Sequence, residues 1–255
     1  MRIKRVIKNI IYFCLNYLLF LKPYSNKATI LMYHSVGENN LFFNVESKEF
    51  IRQIEYLKRK KFNIISLSQL VEWIEKKQVI PKKTVVLTFD DGYQNNHSNV
   101  WPILKEYDFP VTIFLAVDLI DQKIGDSQKI VLDMLNWPQI QEMDQSGLID
   151  FQPHTLTHSE LSQINPMEAK REIEESKRIV QEKLNKKCNF FAYPRGNFNQ
   201  EVVDILKESG FKAGLTIKSG LVSENVDLFK LPRQSINSKT NFEEFKTKFK
   251  FNLNI

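Results

Sequence analysis

The apolar run Val85-Val86-Leu87-Thr88-Phe89 ends in Asp90-Asp91-Gly92-Tyr93, which puts two adjacent carboxylates at the tip of an expected buried strand. Parallel α/β folds keep their chemistry at such strand tips. Farther along, His154-Thr155-Leu156-Thr157-His158 carries two imidazoles four residues apart, a spacing that lets both reach one metal ion. Two imidazoles and one carboxylate bind a divalent ion and leave positions open for water and substrate. Such an ion polarises a carbonyl and lowers the pKa of its water towards about 7. The remaining carboxylate is then free to take a proton. A leaving group also needs a proton donor, and His34 is the imidazole left for that task. Each piece alone is ordinary, since Asp-Asp-Gly is a common turn and paired histidines occur on surfaces. Their joint placement at strand ends is what points to an enzyme.

The segments around these residues alternate between strand and helix. Strands are expected at Thr29–Tyr33, Asn63–Ser66, Thr84–Phe89, Val111–Ala116, Leu148–Phe151, Asn189–Tyr193, Lys212–Ile217 and Leu228–Leu231. Helices are expected at Ser47–Lys61, Ser68–Lys77, Asn95–Tyr107, Trp137–Ser146, Pro166–Leu184 and Gln200–Ser209. Gly147 marks a helix end, and Asn165 with Pro166 marks a helix start. Repeated β-then-α units with right-handed crossovers imply a mainly parallel sheet, and about seven strands would close into a distorted (β/α) barrel. His34, Asp90, Asp91, His154, Pro194-Arg195-Gly196 and Arg233 all follow expected strands, which gathers them on one barrel face. His97, among Asn95, Asn96 and Asn99, reads as solvent-facing. Trp101 and Trp137 read as core rather than as sugar platforms.

At 255 residues the chain is long enough for one large α/β domain with a substantial core. Its net charge of +6 rests on scattered lysines without any RNA- or DNA-binding motif, so it reads as a solvated surface with no nucleic-acid partner. Cys14 and Cys188 lie far apart in unlike surroundings, which argues against a disulfide and against a Cys-based metal site. Arg2, Lys4, Arg5 and Lys8 precede the apolar stretch Ile10 to Leu21. That stretch fits a membrane-associated helix lying in the interface. An export signal or single-pass anchor and a buried helix are the alternatives; no small-residue cleavage site follows, and Asn16 interrupts the run. The expected organisation is a basic and apolar membrane segment with its joint over 1–27, a catalytic domain over 28–238 and a Lys/Phe-rich tail over 239–255.

Thr88-Phe89-Asp90-Asp91-Gly92-Tyr93, followed by His154-Thr155-Leu156-Thr157-His158, resembles the polysaccharide deacetylases, also called NodB-homology or carbohydrate esterase family 4 proteins. The resemblance extends from about Ile30 to Ile236. It implies Asp90 as general base and Asp91, His154 and His158 as ligands of one divalent ion, zinc first, with cobalt, nickel or iron as alternatives. The family's third motif, Arg-x-Pro-Tyr-Gly, corresponds here to Ala192-Tyr193-Pro194-Arg195-Gly196. The arginine that steadies the base is therefore missing at Ala192, and Arg233 is the candidate replacement. The backbone N–H of Arg195 can still serve an oxyanion, because it needs no particular side chain. The family's late histidine is also not evident. Instead Ile30-Leu31-Met32-Tyr33-His34-Ser35-Val36 resembles the branch that deacetylates poly-N-acetylglucosamine exopolysaccharide, whose acid histidine comes early, so His34 inherits that role. Gln152-Pro153 departs from the usual small residues and is expected to reshape the mouth of the site.

These readings imply hydrolysis of N-acetyl groups on amino sugars of a surface polysaccharide or its precursor. Two alternatives carry weight: a catalytically weak carbohydrate-binding relative, suggested by Ala192, and a two-His, one-carboxylate non-haem iron enzyme. The expected location is at a membrane, on the cytoplasmic face, with an exported form as the alternative. The glycan, its linkage and the oligomeric state are left open.

Overall fold

The protein is described from a computed structural model that defines residues 11–12, 23–125 and 130–250. The expected membrane segment falls outside the described residues, except Ile11 and Tyr12. Among the described residues, no helix is long and apolar enough to cross a membrane.

From its first strand the chain runs β1 (Ala28–Tyr33), β2 (Ser35–Val36), β3 (Asn44–Val45), α1 (Ser47–Arg59), β4 (Asn63–Ile64), α2 (Leu67–Glu75) and β5 (Thr84–Phe89). A π-helical turn (Asn96–Val100) leads into α3 (Trp101–Tyr107), followed by β6 (Val111–Leu115), β7 (Lys123–Gly125), β8 (Val131–Asp133) and α4 (Trp137–Gln145). Then come β9 (Ile149–Pro153), α5 (Pro166–Leu184), β10 (Phe190–Ala192), α6 (Gln200–Glu208), β11 (Ala213–Leu215), β12 (Gln234–Ser235) and α7 (Phe242–Thr247).

The main sheet is parallel, in the order β12-β1-β5-β6-β9, with β4 also paired to β5. Every residue of β1, β5 and β6 is buried, as expected of strands covered on both faces. Side chains two apart share a face, so Ile30, Val86, Phe114, Phe190, Ala192 and Leu215 meet in one inner cluster. Leu31, Leu87, Ile113 and Phe151 point the other way, into a second cluster shared with Phe50, Ile54, Ile140 and Ile173 of the helices.

Two seams complete the curve. Between β11 and β12, Leu231 bridges to Leu215. Between β9 and β10 the backbone ladder is replaced by a side chain: Gln152 Oε1 accepts the N–H groups of Asn189 and Phe190, both at 2.9 Å. Gln152 is fully buried, so it latches the strand seam rather than reshaping the mouth of the site.

Three other expectations change. Leu228–Leu231 is a 3-10 turn over Leu228–Lys230, because Asp227 caps it by accepting the N–H of Phe229 at 2.9 Å. Arg233 therefore precedes the last short strand instead of following it. The polar stretch before Ser127 carries one arm of an antiparallel hairpin, β7 with β8. The expected tail packs in part against the domain: Phe245 and Phe249 are buried beside Tyr56 and Phe62.

Candidate active site

The same alternation that fills the inner cluster carries Asp90 beyond Val86 and Thr88, His34 beyond Ile30 and Met32, and His154 beyond Gln152. All three leave their strands at the C-terminal end. Asp91 (φ 73°) and Gly92 (φ 86°) both have left-handed backbone, so the chain turns sharply after the strand. Gly92 suits glycine through its left-handed backbone, and a Cβ there would sit 2.8 Å from Leu115 Cδ2, so the leucine would also have to shift.

The two adjacent carboxylates face different partners. Asp90 is buried and meets Arg233 in a two-point pair, Nη1 to Oδ1 and Nη2 to Oδ2, each 2.7 Å. Arg233 is itself fully buried; its Nε donates to Thr216 O at 2.9 Å. Burial opposes the ionised form of Asp90, but the Arg233 guanidinium, with smaller help from His154 and His34, outweighs it and holds the carboxyl at about 2. Asp91 instead faces the two imidazoles: its Oδ1 lies 3.6 Å from His154 Nε2 and 3.3 Å from His158 Nε2.

One ligand atom from each of Asp91, His154 and His158 lies within 4.8 Å of the others. Asp91 Oδ1 is buried and has no hydrogen-bond partner. His154 Nδ1 lies 2.6 Å from Ala192 O, a contact in which the ring must donate, so Nε2 is left with a free lone pair. Burial pushes His154 down to about 4, against the pull of Asp90, which keeps the ring neutral as a ligand must be. An acceptor-only oxygen and two imidazole nitrogens converging on one point fit a divalent cation. Tyr93 is buried beside this group, and burial together with the Asp91 carboxylate raises its phenol pKa.

His34 lies near enough to Asp90 to favour its ionised form, and its Nδ1 is buried without a partner. The segment that presents it is held by three asparagines at or just before the turn that leads into α3. Asn96 Nδ2 donates to His34 O at 2.8 Å, Asn99 Nδ2 donates to Val36 O at 2.7 Å, and Asn95 Nδ2 donates to Ser35 Oγ at 2.8 Å. Single π-helical turns often mark functional sites. In sequence these asparagines look like ordinary polar residues at a helix start. His97, among them, is not simply solvent-facing: its Nε2 lies 2.9 Å from Glu142 and its ring 5.3 Å from Trp101.

Arg195 (φ 54°) sits at the centre of the turn Pro194–Gly196. The turn's bonds run from Gly196 N to Tyr193 O and from Asn197 N to Pro194 O, so they do not consume the Arg195 N–H. Its side chain is largely exposed and pairs with Glu160 at 3.2 Å.

A parallel α/β fold with this carboxylate-imidazole group at its strand ends has the build of a deacetylase-class hydrolase. Residues 77–214 match the family described as polysaccharide deacetylase, more than half of the chain, and the protein belongs to that family. It is similar to the poly-beta-1,6-N-acetyl-D-glucosamine N-deacetylase of Staphylococcus epidermidis, 28% identical over 236 residues that cover 84% of this chain and 80% of that one. Among solved structures it resembles the Streptococcus pyogenes deacetylase PplD in complex with acetate (28% identity, TM-score 0.77, 88% of this chain and 98% of that one). A de-N-acetylase from Aggregatibacter actinomycetemcomitans is similar too (25% identity, TM-score 0.76, 87% of this chain and 99% of that one).

Proposed function

We propose that the protein is a metal-dependent deacetylase that removes N-acetyl groups from amino sugars of a surface polysaccharide or its precursor, with a β-1,6-linked N-acetylglucosamine chain as the first substrate class. The observation that carries this reading is the division of labour between adjacent carboxylates: Asp90 is clamped by Arg233, while Asp91 faces His154 and His158. A divalent ion held by Asp91, His154 and His158, zinc by preference, would supply Lewis acidity to the acetyl carbonyl and acidify a water.

Asp90 accepts the proton of the attacking water. A carboxyl held at about 2 stays ionised throughout the working range, but it stores a proton poorly, so transfer and attack must occur together. Arg233 fixes both Asp90 oxygens and leaves each a further lone pair for the water. The N–H of Arg195 stabilises the oxyanion as the carbonyl becomes tetrahedral. His34 then protonates the departing amine, and acetate and a glucosamine-type sugar leave. The sequence-based case for a binding-only relative rested on Ala192; the buried Arg233–Asp90 pair supports the catalytic reading instead.

The basic and apolar segment over residues 1–21 supports association with a membrane surface. We place the enzyme on the cytoplasmic face, with export as the alternative. The direct test is acetate release by metal-loaded protein from N-acetylglucosamine oligomers, β-1,6-linked and β-1,4-linked, beside an O-acetylated glycan. Release from the N-acetyl oligomers supports the proposal. Release from the O-acetylated glycan alone would replace it with an esterase.

A further inference from the structure

We propose that Glu172 is a positioning residue for the metal site, holding the segment between His154 and His158 in the shape that turns both imidazoles toward Asp91. The inference rests on Asp91, His154 and His158 being the metal ligands. Glu172 lies on α5, the helix that follows the two histidines in the chain, and its buried carboxylate reaches back to the segment between them. Oε2 accepts the N–H of Leu156 at 2.9 Å and of Thr157 at 3.0 Å, and Oε1 accepts the Thr157 hydroxyl at 2.8 Å. It forms no ion pair among the described residues, so these three donors are what satisfies its charge.

The segment needs such a splint. Thr155 (φ 68°) and His158 (φ 62°) both take the left-handed conformation, which is uphill for any residue with a Cβ and persists only when its surroundings over-determine it. The surroundings act from two sides. The carbonyls of Thr155 and Leu156 accept from Val117 N at 3.1 Å and Asp118 N at 2.9 Å, while Glu172 takes the amides of Leu156 and Thr157. A carboxylate suits the task because two N–H groups and one hydroxyl need an acceptor with several lone pairs. It is delivered from a rigid base: Ala169, Ile173 and Ser176 bury the same helix face. Without it, two amides beside the metal ligands lose their acceptor, and His158 is freed to leave the left-handed region.

The test is a zinc titration by calorimetry on the full chain, as wild type, Glu172→Ala, Glu172→Gln and Thr157→Val, with circular dichroism and thermal melts in chelator for each. Wild type is expected to bind one equivalent. Glu172→Ala is expected to stay folded and to weaken zinc binding by about tenfold or more, the scale of lost outer-shell partners. Glu172→Gln keeps an amide oxygen for the two N–H groups and is expected to restore most of the affinity, an outcome that a general loss of fold stability would not produce. Should Glu172→Ala not fold, Thr157→Val decides, since it removes one of the three contacts and is expected to weaken zinc by a few-fold. Folded Glu172→Ala with wild-type zinc affinity overturns the proposal, as does wild-type affinity in Thr157→Val if the alanine variant does not fold. Wild type that binds no zinc overturns the ligand assignment itself, and the positioning role with it.

Discussion

Arg233 and Asp90 lie 143 positions apart in sequence and form a two-point ion pair with both contacts at 2.7 Å, sealed from solvent. A buried pair costs desolvation on both sides, so its worth to folding is small, but breaking it leaves an uncompensated charge. Its geometry fixes both oxygens of the proposed base. Arg233→Met should therefore cost about 3–5 kcal/mol of stability and most of the turnover. Arg233→Lys restores a charge but not the planar two-point grip, so it should recover more stability than activity. Urea melts and acetate release, run on the same preparations, separate the two effects.

The depressed Asp90 pKa also makes stability depend on acid. The carboxyl is lowered from 3.8 to about 2 on folding, so its contribution is present above 3.8 and lost as pH falls towards 2. The size is about 2 kcal/mol. Urea melts of metal-free protein between pH 5 and pH 2 should show this slope in wild type, and Asp90→Asn should lack it. Equal slopes would mean that other carboxylates carry the acid dependence.

Metal binding should follow the converging residues alone. Alanine at Asp91, His154 or His158 should abolish the one-equivalent binding, whereas His97→Ala, which removes the contacts with Glu142 and Trp101, should bind as wild type does. Metal content after dialysis, measured by atomic emission, checks this. A loss in His97→Ala would enlarge the site beyond the three ligands.

Asn96 Nδ2 ties down the carbonyl of His34, so Asn96→Ala should loosen the proposed acid without touching the metal ligands. Turnover is expected to fall by about tenfold, part of what a positioned acid contributes, while zinc affinity stays at the wild-type value. Reduced zinc affinity in this variant would instead make the turn before α3 part of the metal support.

Much of this arrangement could be read from the chain before folding. Thr84–Phe89 is uniformly apolar or β-branched and is buried on both faces, so the strand and the carboxylates at its tip declared themselves together. The same holds for β1 and His34. The last part of the barrel was misread for a physical reason. Leu228–Leu231 has the apolar spacing of a strand, but Asp227 beside it caps a tight turn, and the pairing strand is the short polar Gln234–Ser235. The tasks of Gln152, Asn96 and Glu172 are not legible in the sequence because they are tertiary. Each is a polar residue whose partners arrive from another element, and no local period or spacing distinguishes it from a solvated side chain. Arg233 is marked in the sequence by its place after an expected strand, and its pairing with Asp90 is suggested by the place the resemblance leaves empty at Ala192.

The most direct test of the central claim measures metal stoichiometry and acetate release together in wild type and Asp90→Asn. The account predicts one bound equivalent in both proteins and acetate from N-acetylglucosamine oligomers in wild type alone. Full turnover in Asp90→Asn, with metal still bound, would contradict the assignment of the Arg233-clamped carboxylate as the base.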